Sequence, residues 1–470
     1  MLKFVLNNRS METEWPPGRP ALDFLRGEAG LTGVKFACRE GDCGSCAVLL
    51  GSRCEDGLRY QIVTSCLLPL GAVAGRHVVT IEGLNRQELN PIQQAFVDCG
   101  ASQCGFCTPG FIVSLTGYLL EAKEFRFEDA VEAIGGNICR CTGYASIGRA
   151  IDRFLDALSS TIEPEEPRIE ALVREEILPE YFLSVGSALA DLPPALTVPS
   201  SATRTIVAGG TDLYVQRPHE IERTPIFIVP QSARPAVSRE GGSVVLAATA
   251  TAEDMKQSDI LAESVGGIDR AMELMGSLPI RNRATIAGNL VNASPIGDMT
   301  IILLALGAEI GLAAGEGRRS APLHEFFLDY KKLDLRPGEL VEWVRFEAGP
   351  EGRLFNFEKV SKRTHLDIAT VNTAISLNVI DGRITGVRLA AGGVAPIPMR
   401  LERTMAFLEG RPPTAETALA AADTARSEAS PITDVRGSAD YKRLLLGQLV
   451  LAHFHVLFNV DPGQFAEASA

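Results

Sequence analysis

The sequence predicts an α+β protein that is divided into several domains. Its 470 residues exceed the roughly 150 residues of a typical domain, so about three domains are expected. All ten cysteines lie between Cys38 and Cys141, which marks the N-terminal third as a separate module. Short β-branched runs and stretches of helical periodicity occur in the same regions of the chain. We place the domains at residues 1–86, 87–160, 183–350 and 351–470, with a linker over 161–182.

The composition is that of a globular protein. Hydrophobic residues make up 46% and charged residues 22%, which excludes a disordered, collagen-like or coiled-coil chain. The net charge of −13 disfavours a general affinity for nucleic acid or for an anionic membrane surface. The start, MLKFVLNNRS, lacks the pattern of a secretory signal, and the longest apolar stretch, residues 300–314, is interrupted by Glu309. A cytoplasmic protein is expected.

The first group of cysteines has the spacing Cx4CxxC followed by a distant fourth cysteine. Its members are Cys38, Cys43, Cys46 and Cys66. This is the plant-type ferredoxin spacing for a 2Fe–2S cluster, and Gly41 and Gly44 would let the loop offer amide hydrogens to the sulfides. FVLNN, AVLL and RHVVTIEGL indicate strands and PALDFLRGE a helix, which favours a small β-grasp ferredoxin-like domain. Structural zinc is the alternative, although zinc sites usually use paired CxxC motifs.

The second group combines a CxxC pair with a CxC pair. Its members are Cys104, Cys107, Cys139 and Cys141. The stretches FIVSLTGYLLEA, FEDAVEAI and SIGRAIDRFLDAL have helical periodicity, so these cysteines would cap helices of a small bundle. Pro109 suits a first helical turn, whose free amides and positive dipole end would face an anionic cluster. Zinc is again possible, but the ferredoxin spacing just before it favours a second 2Fe–2S cluster.

Two cysteines complete no ligand spacing. Cys54 lies in the polar stretch GSRCEDG. Cys99 is the closer case, because together with the next two cysteines it repeats Cx4CxxC. We interpret both as free thiols, with Cys99 as a small apolar packing residue.

The cysteine-free part begins with the acidic stretch SSTIEPEEPRIEALVREEILPE, which is typical of a linker. TRTIVAGGTDLYV then predicts a strand, a diglycine turn and a second short segment. Neither GxGxxG nor GxxxxGKS/T occurs, so no Rossmann dinucleotide site or P-loop is predicted. A diglycine turn can cradle phosphate with its amides, although an ordinary tight turn is the simpler interpretation.

Polar residues are set between apolar runs in LPIRNRATIAGNLVNASPIGDM. Gly288 and Asn289 interrupt an apolar strand here, and NASPIGD reads as a loop before an apolar helix. The polar side chains that need partners are Asn289, Asn292, Ser294 and Asp298. A ribityl or diphosphate chain would supply those partners, and an Asx-rich loop bonded to itself is the alternative.

A small α+β domain is predicted from Phe355 onward. Strands in KVSKRTHLDIATVNTAISL and NVIDGRITGVRLAAGG would pair through a DG hairpin, and LERTMAFLEG, AETALAAADTARSEA and DYKRLLLGQLVLAHF indicate helices. His219, His324 and His365 are isolated from other candidate ligands and from any nucleophile motif. No catalytic residue is assigned.

Across nearly its whole length the chain resembles the xanthine oxidase family of molybdenum hydroxylases. CREGDCGSC with Cys66, and SQCGFCTPG with GGNICRCTGY, look like the two iron–sulfur modules of that family. IVAGGTDL, TIAGN and NASPIGD look like its flavin domain, and AGGVAPIPMR resembles the opening of its C-terminal subdomain. The resemblance implies a β-grasp ferredoxin-like domain, a helical-bundle 2Fe–2S domain, an FAD-binding α+β domain of the PCMH/VAO type and a small α+β C-terminal domain.

The resemblance also implies roles for individual residues. The first cysteine group would hold the ferredoxin-type cluster and the second group the helical-domain cluster. The residues around the flavin diphosphate would be Ile206, Val207, Ala208, Gly209, Gly210, Thr211, Asp212 and Leu213. Further FAD contacts would be Thr285, Ile286, Ala287, Gly288, Asn289 and Asp298, with Val341 and Lys359 near the adenine and isoalloxazine.

The order of modules looks like the small subunit of the bacterial xanthine dehydrogenases. Electrons from a molybdenum cofactor on a large partner chain, where hypoxanthine and xanthine are hydroxylated to urate, would pass through both clusters to FAD and then to NAD. Two copies of each chain would assemble, without nucleic acid or membrane. The alternatives are the equivalent subunit of an aldehyde or nicotinate hydroxylase, a stand-alone NADH-dependent iron–sulfur flavoprotein reductase, and a zinc and nucleotide binding module.

Overall fold

The computed structural model describes residues 1–55, 57–163, 165–192, 205–224, 226–229, 235–349, 352–461 and 463–465. The chain divides into two compact units. The first comprises residues 1–230 together with 277–283, and the second comprises residues 231–276 together with 284–470. A short segment of the flavin region of the sequence is therefore part of the first unit.

A five-stranded mixed sheet opens the first unit. Its strands are β1 (Leu2–Leu6), β2 (Arg9–Thr13), β3 (Ala47–Cys54), β4 (Gly57–Thr64) and β5 (His77–Val79). They lie in the order β2-β1-β5-β3-β4, with β1 and β5 parallel and the other neighbours antiparallel. Helix α1 (Ala21–Gly27) buries Leu22 and Phe24 in the same core as Phe4 and Val48. The predicted β-grasp ferredoxin-like domain is confirmed.

Six helices follow the sheet. They are α2 (Pro91–Asp98), α3 (Thr108–Glu121), α4 (Phe127–Ala133), α5 (Ala145–Ser159), α6 (Arg168–Arg174) and α7 (Phe182–Ala190). Helix α3 is buried over residues 110–120, because β3, β4, α2, α4 and α6 pack around it. Helix α5 is amphipathic and turns Ile147, Ile151 and Phe154 toward that core. The predicted helical domain is confirmed.

The predicted linker is wrong for residues 168–182. Helix α6 lies inside it, and Leu172, Ile177 and Leu178 are fully buried in the core that surrounds α3. The acidic side chains that suggested a linker, such as Glu170 and Glu176, are exposed, whereas the apolar side chains between them face inward. The segment is amphipathic, and the burial of its apolar face stabilises the first unit.

Two short parallel strands complete the main part of the first unit. They are β6 (Thr205–Val207) and β7 (Ile226–Ile228), with α8 (Leu213–Gln216) and α9 (Pro218–Arg223) between them. Val207, Tyr214 and Ile221 are buried in the core of the ferredoxin-like sheet. The predicted strand, diglycine turn and following segment are confirmed, since residues 208–212 connect β6 to α8.

The second unit begins with an α+β domain. Its strands are β8 (Val237–Glu240), β9 (Ser243–Ala247), β10 (Glu309–Ala314), β11 (Gly317–Pro322), β12 (Phe327–Asp329), β13 (Lys332–Leu333) and β14 (Leu340–Glu347). Five of them form an antiparallel sheet in the order β11-β10-β14-β9-β8. The helices of this stretch are α10 (Ala252–Lys256), α11 (Asp259–Ser264), α12 (Ile268–Glu273), α13 (Leu278–Arg281), α14 (Ile286–Asn292) and α15 (Asp298–Ala305). Of these, α13 belongs to the first unit.

The C-terminal part of the second unit is a four-stranded antiparallel sheet with three helices. The elements are β15 (Leu354–Val360), β16 (Val371–Ile380), β17 (Arg383–Gly392), β18 (Met399–Arg400), α16 (Glu402–Leu408), α17 (Ala415–Glu428) and α18 (Ala439–Phe458). Asp381 and Gly382 have φ of 50° and 70°, as the predicted DG hairpin turn requires. The α+β prediction is confirmed here. Within the described ranges, no helix has both the length and the apolar character needed to cross a bilayer.

Candidate metal and cofactor sites

The first cysteine group comes together at one end of the ferredoxin-like sheet. Cys38, Cys43 and Cys46 lie in the loop between α1 and β3, and Cys66 follows β4. The sulfurs form two pairs: Cys46 Sγ lies 3.4 Å from Cys66 Sγ, and the Cys38 thiol is hydrogen-bonded to that of Cys43. Three of the four side chains are buried, and that of Cys38 is half-buried. The loop therefore holds four thiols in two pairs, largely away from water.

Two glycines allow this loop to fold so tightly. Gly41 and Gly44 have φ of 83° and 64°, the left-handed region that favours glycine. A Cβ atom at Gly44 would lie 2.4 Å from the carbonyl oxygen of Gly136, a distance that no side chain tolerates. The amide of Glu40 donates to Cys38 Sγ at 3.4 Å, which is the kind of contact predicted between this loop and a cluster.

Within each pair, one sulfur is favoured as a thiolate. The hydrogen bond with Cys38 lowers the pKa of Cys43 to about 4, although burial opposes the shift. The hydrogen bond with Cys66 likewise lowers the pKa of Cys46, and the partner thiols Cys38 and Cys66 have raised pKa values. Thiolate is the form that ligates metals, so the protein already stabilises part of the ligand set in its reactive form.

The second cysteine group lies among the helices of the first unit. Cys104 and Cys107 precede α3, while Cys139 and Cys141 lie between α4 and α5. These sulfurs are also paired: Cys104 Sγ is 3.6 Å from Cys141 Sγ, and the Cys107 thiol is hydrogen-bonded to that of Cys139. Cys104 and Cys141 are exposed, whereas Cys139 is buried. This site is therefore more open than the first.

Helix α3 begins directly after Cys107. Cys107 is its N-cap and Pro109 lies in its first turn, as the sequence predicts, so the positive end of a 14-residue helix faces this thiol. Burial and the hydrogen bond with Cys139 raise the pKa of Cys107 to about 12. Burial also opposes ionisation of Cys139, but hydrogen bonds from the hydroxyl and amide of Thr142 outweigh it and lower the pKa of Cys139.

The arrangement of these thiols suits clusters with two irons. A 2Fe–2S cluster takes four cysteine thiolates, two on each iron, which matches two sulfur pairs in each group. A single zinc ion would instead need three or four side chains around one point. Among the described residues, no three His, Cys, Asp or Glu side chains are grouped in that way. The donor set and its pairing fit two 2Fe–2S clusters.

The two remaining cysteines lie outside these pairs. Cys54 is exposed at the end of β3. Cys99 is the C-cap of α2 and packs against the core of the helical domain, as expected for a small apolar side chain.

The two cysteine groups are joined through the backbone. The amide of Ile138, next to Cys139, donates to the carbonyl oxygen of Cys43 at 3.1 Å. The side chain of Asn137 donates to the carbonyl oxygen of Gly44 at 3.2 Å. The loop of the first group and the loop of the second group are therefore in direct contact within one unit.

The diglycine turn presents free amides. Residues 208–212 connect β6 to α8, and Gly210 has φ of 86°. A Cβ atom on Gly210 would lie 2.9 Å from the carbonyl oxygen of Leu67. Among the described residues, nothing accepts a hydrogen bond from the amides of Gly209, Gly210 and Thr211. Successive free amides at a left-handed glycine are suited to phosphate oxygens, so the turn fits the predicted diphosphate position of FAD.

The predicted strand at Gly288 and Asn289 is wrong, because these residues belong to helix α14. Thr285 is the N-cap of this helix, and its hydroxyl accepts a hydrogen bond from the amide of Gly288 at 3.1 Å. Only Ile286 and Leu290 of α14 are buried, a spacing of four residues that suits a helix rather than a strand.

The polar residues near α14 have partners inside the chain. Asn289 Oδ1 accepts from the hydroxyl of Thr300 at 2.9 Å, and Asp298 is paired with Lys359 at 2.8 Å. The side chain of Asn372 also donates to Asp298 at 2.5 Å. The other two predicted polar residues are bonded as well, since Lys331 donates to Asn292 and the amide of Ile296 donates to Ser294. The need for a partner therefore no longer supports a flavin contact at these positions.

The predicted FAD residues are distributed over both units. Residues 206–213 belong to the first unit, whereas residues 285–289, Asp298, Val341 and Lys359 belong to the second. Val341 lies on β14 and is buried, and Lys359 lies on β15 with its ammonium bonded to the carbonyl oxygen of Leu274 at 2.7 Å as well as to Asp298. The sequence did not reveal the pairing of Lys359 with Asp298, because 61 residues separate them.

A further charged residue escaped the sequence analysis. Arg283 donates to the carbonyl oxygens of Ala208 and Gly209 at 3.3 and 3.4 Å, so it stabilises the diglycine turn on its carbonyl side. The basic stretch RNRA directly before Thr285 was the available signal. The sequence alone did not identify Arg283 as a partner of the diglycine turn, because nothing in it indicated that this stretch belongs to the first unit.

Four family models match the chain. They are a 2Fe-2S iron–sulfur cluster binding domain over residues 4–70, a 2Fe-2S binding domain over 80–152, the FAD binding domain in molybdopterin dehydrogenase over 187–346, and the CO dehydrogenase flavoprotein C-terminal domain over 357–456. A solved structure of carbon monoxide dehydrogenase from Hydrogenophaga pseudoflava is 30% identical, with a TM-score of 0.50, over 53% of this chain and 88% of that one. The chain belongs to the xanthine oxidase family of molybdenum hydroxylases.

Relatives in this molybdenum hydroxylase family have different names. Aldehyde oxidase 4 of Cavia porcellus is 27% identical over 87% of this chain and 36% of its own length. Xanthine dehydrogenase/oxidase of Rattus norvegicus is 26% identical over 87% of this chain and 35% of its own length. The chain spans about a third of the length of these curated relatives. What it carries of the family is two 2Fe–2S domains, an FAD-binding domain and the flavoprotein C-terminal domain.

Proposed function

We propose that this chain is the electron-transfer subunit of a xanthine dehydrogenase. When bound, the two clusters and the flavin supply the redox chemistry, which takes electrons from a molybdenum cofactor on a large partner chain to FAD and then to NAD. The contact between the two cysteine groups carries this proposal. Ile138, the residue directly before Cys139, donates its amide hydrogen to the carbonyl oxygen of Cys43, so one hydrogen bond connects the two groups.

The different exposure of the two groups supports the direction of transfer. Cys104 and Cys141 are exposed, and around them Phe106, Ile138 and Tyr144 expose 39–45% of their surface. An apolar, exposed rim at a cofactor site suits contact with another protein. The first group is mostly buried and lies in the same unit as the diglycine turn. We infer that electrons enter at the second group and leave through the first.

The chain's own residues hold and tune the cofactors. Gly41 and Gly44 close the first loop, and hydrogen bonds from Thr142 stabilise the thiolate of Cys139 at the second. Burial and hydrogen bonds at each group then set the reduction potential of its cluster. The amides of residues 209–211 bind the flavin diphosphate, and residues 285–289, Asp298, Val341 and Lys359 remain predicted FAD contacts.

The substrate and the acceptor are the finer parts of the proposal. Xanthine is favoured because xanthine dehydrogenases are among the relatives, and the module order resembles their small subunit. An aldehyde is the second candidate, because aldehyde oxidases match equally well. We further propose NAD as acceptor, a cytoplasmic location and an assembly with two copies of each chain.

Reconstitution with the large chain tests this function. The purified chain alone should oxidise neither xanthine nor an aldehyde, but should take electrons from NADH and reduce an artificial dye. With the partner present, xanthine should be oxidised and NAD reduced in equal amounts, and a Cys104→Ser variant should abolish that coupling while keeping the NADH–dye reaction. Oxidation of an aldehyde but not of xanthine would contradict the substrate, and xanthine turnover by the chain alone would contradict the assigned role.

A further inference from the structure

The side chain of Asn137 is buried between the two cysteine loops. Asn137 lies two residues before Cys139, and only 4% of its surface is exposed. Its Nδ2 donates to the carbonyl oxygen of Gly44, in the loop of the first group, at 3.2 Å. Its Oδ1 accepts a hydrogen bond from the hydroxyl of Ser114, on α3, at 2.9 Å. One side chain therefore joins the loop of the first group, the helix that follows Cys107 and the loop of the second group.

Both partners of this side chain are buried too. Ser114 is fully buried on α3, and Gly44 is buried in its loop. A buried hydroxyl or carbonyl oxygen that loses its partner costs free energy, which favours the arrangement that brings the three segments together. The backbone amide of Asn137 donates to the carbonyl oxygen of Ile134, the C-cap residue of α4, at 2.8 Å, so the side chain also starts from a fixed position.

The packing around Asn137 leaves little room between the loops and α3. A Cβ atom at Gly110, in the first turn of α3, would lie 2.4 Å from the carbonyl oxygen of Gly44 and 3.0 Å from Nδ2 of Asn137. A Cβ atom at Gly44 would lie 2.6 Å from the same nitrogen. Two glycines are therefore needed for this close approach, and the separation of the two loops is set by direct contact at Asn137.

Asn137 acts together with the hydrogen bond that connects the two cysteine groups. The amide of Ile138 donates to the carbonyl oxygen of Cys43 at 3.1 Å, although the side chain of Ile138 is exposed. Consecutive residues of one loop, Asn137 and Ile138, thus donate to consecutive carbonyl oxygens of the other, those of Gly44 and Cys43. Two adjacent hydrogen bonds fix the orientation of the loops as well as their separation. The route from Cys43 to Cys139 consists of covalent bonds and the single bond made by Ile138.

We propose that Asn137 is a positioning residue for electron transfer between the two clusters. Its side chain keeps the amide of Ile138 on the carbonyl oxygen of Cys43 and so holds Cys43 and Cys139 at a fixed separation. Transfer between two groups is faster when they are held close together in one geometry. The inference rests on the proposed function, which sends electrons from the second cysteine group to the first.

The first test compares Asn137→Ala with Asn90→Ala in the full chain, loaded with both clusters and reduced with dithionite. Asn90 is the matched control, because it is also buried in the first unit but bonds to the start of α2. Both variants lose a buried hydrogen bond, so both should melt at a lower temperature and keep both clusters. Only Asn137→Ala should weaken the magnetic coupling between the reduced clusters, measured by electron paramagnetic resonance. Only this variant should slow electron transfer between them, about tenfold by pulse radiolysis.

A purely structural asparagine would give a different result. If Asn137→Ala melts at a lower temperature but keeps the coupling and the transfer rate of the wild type, the proposal is overturned. Equal loss of coupling in Asn90→Ala would overturn it as well, because reduced stability alone would then explain the effect.

Ser114→Ala decides the question if Asn137→Ala fails to hold a cluster. This variant leaves Asn137 in place and removes only the hydrogen bond between its Oδ1 and α3. Both clusters should load, and the coupling should fall below that of the wild type because the Asn137 side chain is less firmly held. Unchanged coupling in Ser114→Ala, after loss of a cluster in Asn137→Ala, would overturn the proposal, because Asn137 would then serve cluster binding alone.

Gly110→Ala perturbs the same contact from the side of α3. Its Cβ would push the carbonyl oxygen of Gly44 away, so the amide of Ile138 should exchange its hydrogen faster, as measured by mass spectrometry, and the coupling should weaken. Gly186→Ala on α7 is the matched control, because a Cβ atom there would meet nothing within 4 Å. Unchanged coupling in both Gly110→Ala and Asn137→Ala would overturn the proposal.

The choice of reductant separates this inference from the proposed function. Dithionite reduces the clusters directly, so the coupling is measured without NADH, substrate or the large chain. Loss of coupling in Asn137→Ala, together with no oxidation of xanthine or an aldehyde by the reconstituted complex, would refute the proposed function and support the role of Asn137. Xanthine oxidation by that complex, together with unchanged coupling and transfer rate in Asn137→Ala, would refute only the role of Asn137.

Discussion

The buried ion pair between Lys359 and Asp298 gives the sharpest prediction for the second unit. The Lys359 ammonium lies 2.8 Å from Asp298, and the two side chains are 2% and 11% exposed. Asn372 donates to the other oxygen of Asp298, and Leu274 accepts a second hydrogen bond from Lys359. Asp298→Asn keeps the shape but removes the negative charge, and its amide has one acceptor oxygen where the carboxylate accepted from both Lys359 and Asn372.

The expected cost follows from the burial of the ammonium. Breaking a buried pair by removing one partner typically costs 3–5 kcal/mol, because an uncompensated charge is left inside. Because the carbonyl oxygen of Leu274 still accepts a hydrogen bond from Lys359, we expect the lower end, about 3 kcal/mol. Adding Lys359→Met removes the stranded charge, and the double variant should be within about 1 kcal/mol of the wild type.

The two tryptophans allow the assay to report on one unit. Trp15 lies in the first unit and Trp343 on β14 in the second, so Trp343 is the only tryptophan left in a Trp15→Phe background. Denaturant unfolding of the FAD-free protein, followed by Trp343 fluorescence, gives the free energy of unfolding of the second unit. Asp440→Asn is the control, because its pair with Arg443 is exposed and should contribute less than about 1 kcal/mol. A loss below about 1 kcal/mol for Asp298→Asn, or a double variant less stable than Asp298→Asn, would refute the reasoning.

Three further predictions address the clusters and the pH dependence. Cys104→Ser should remove one of two paramagnetic signals of the reduced protein, whereas Cys99→Ser should keep both, and loss of a signal with Cys99 would show that the ligand set is wrong. Gly44→Ala would push a Cβ atom against the carbonyl oxygen of Gly136 at a left-handed position, so iron content should fall toward two per chain, and four irons in this variant would contradict the tight loop. Burial lowers the pKa of His453 to about 3, so the folded protein keeps this imidazole neutral while the unfolded chain takes up a proton below pH 6.5. The free energy of unfolding should therefore fall as the pH is lowered, by ~2 kcal/mol at pH 5. Between pH 7 and pH 5 the wild type should therefore lose about 2 kcal/mol more stability than His453→Gln, and equal losses in the two proteins would count against this reasoning.

The fold was predictable wherever a local pattern decided it. The β-branched runs around β1, β3 and β5, the helical periodicity of α3 and α5, and the Asp381–Gly382 hairpin each depend on neighbours in sequence. Two predictions failed because tertiary packing decided them. Residues 168–182 looked like a linker from their charge, yet Leu172 and Ile177 face a core. Gly288 and Asn289 looked like a strand interruption, yet the Thr285 cap starts a helix there.

The candidate sites divide in the same way. Spacing along the chain was enough to group the cysteines, because a cluster loop needs its ligands close in sequence. Which sulfur pairs with which was not predictable, since Cys46 pairs with Cys66 across 20 residues and Cys104 with Cys141 across 37. The role of Arg283 was hidden for the same reason, because its contacts with the diglycine turn join residues more than 70 positions apart.

Cofactor stoichiometry tests the central claim most directly. The purified full chain, analysed for iron, acid-labile sulfide and flavin, should contain four irons and four sulfides for each FAD, because two groups of four thiols each suit one 2Fe–2S cluster. A reductive titration of the same sample should then consume four electrons per chain, one for each cluster and two for the flavin. Two irons per flavin, or zinc in place of iron and sulfide at either group, would contradict the account.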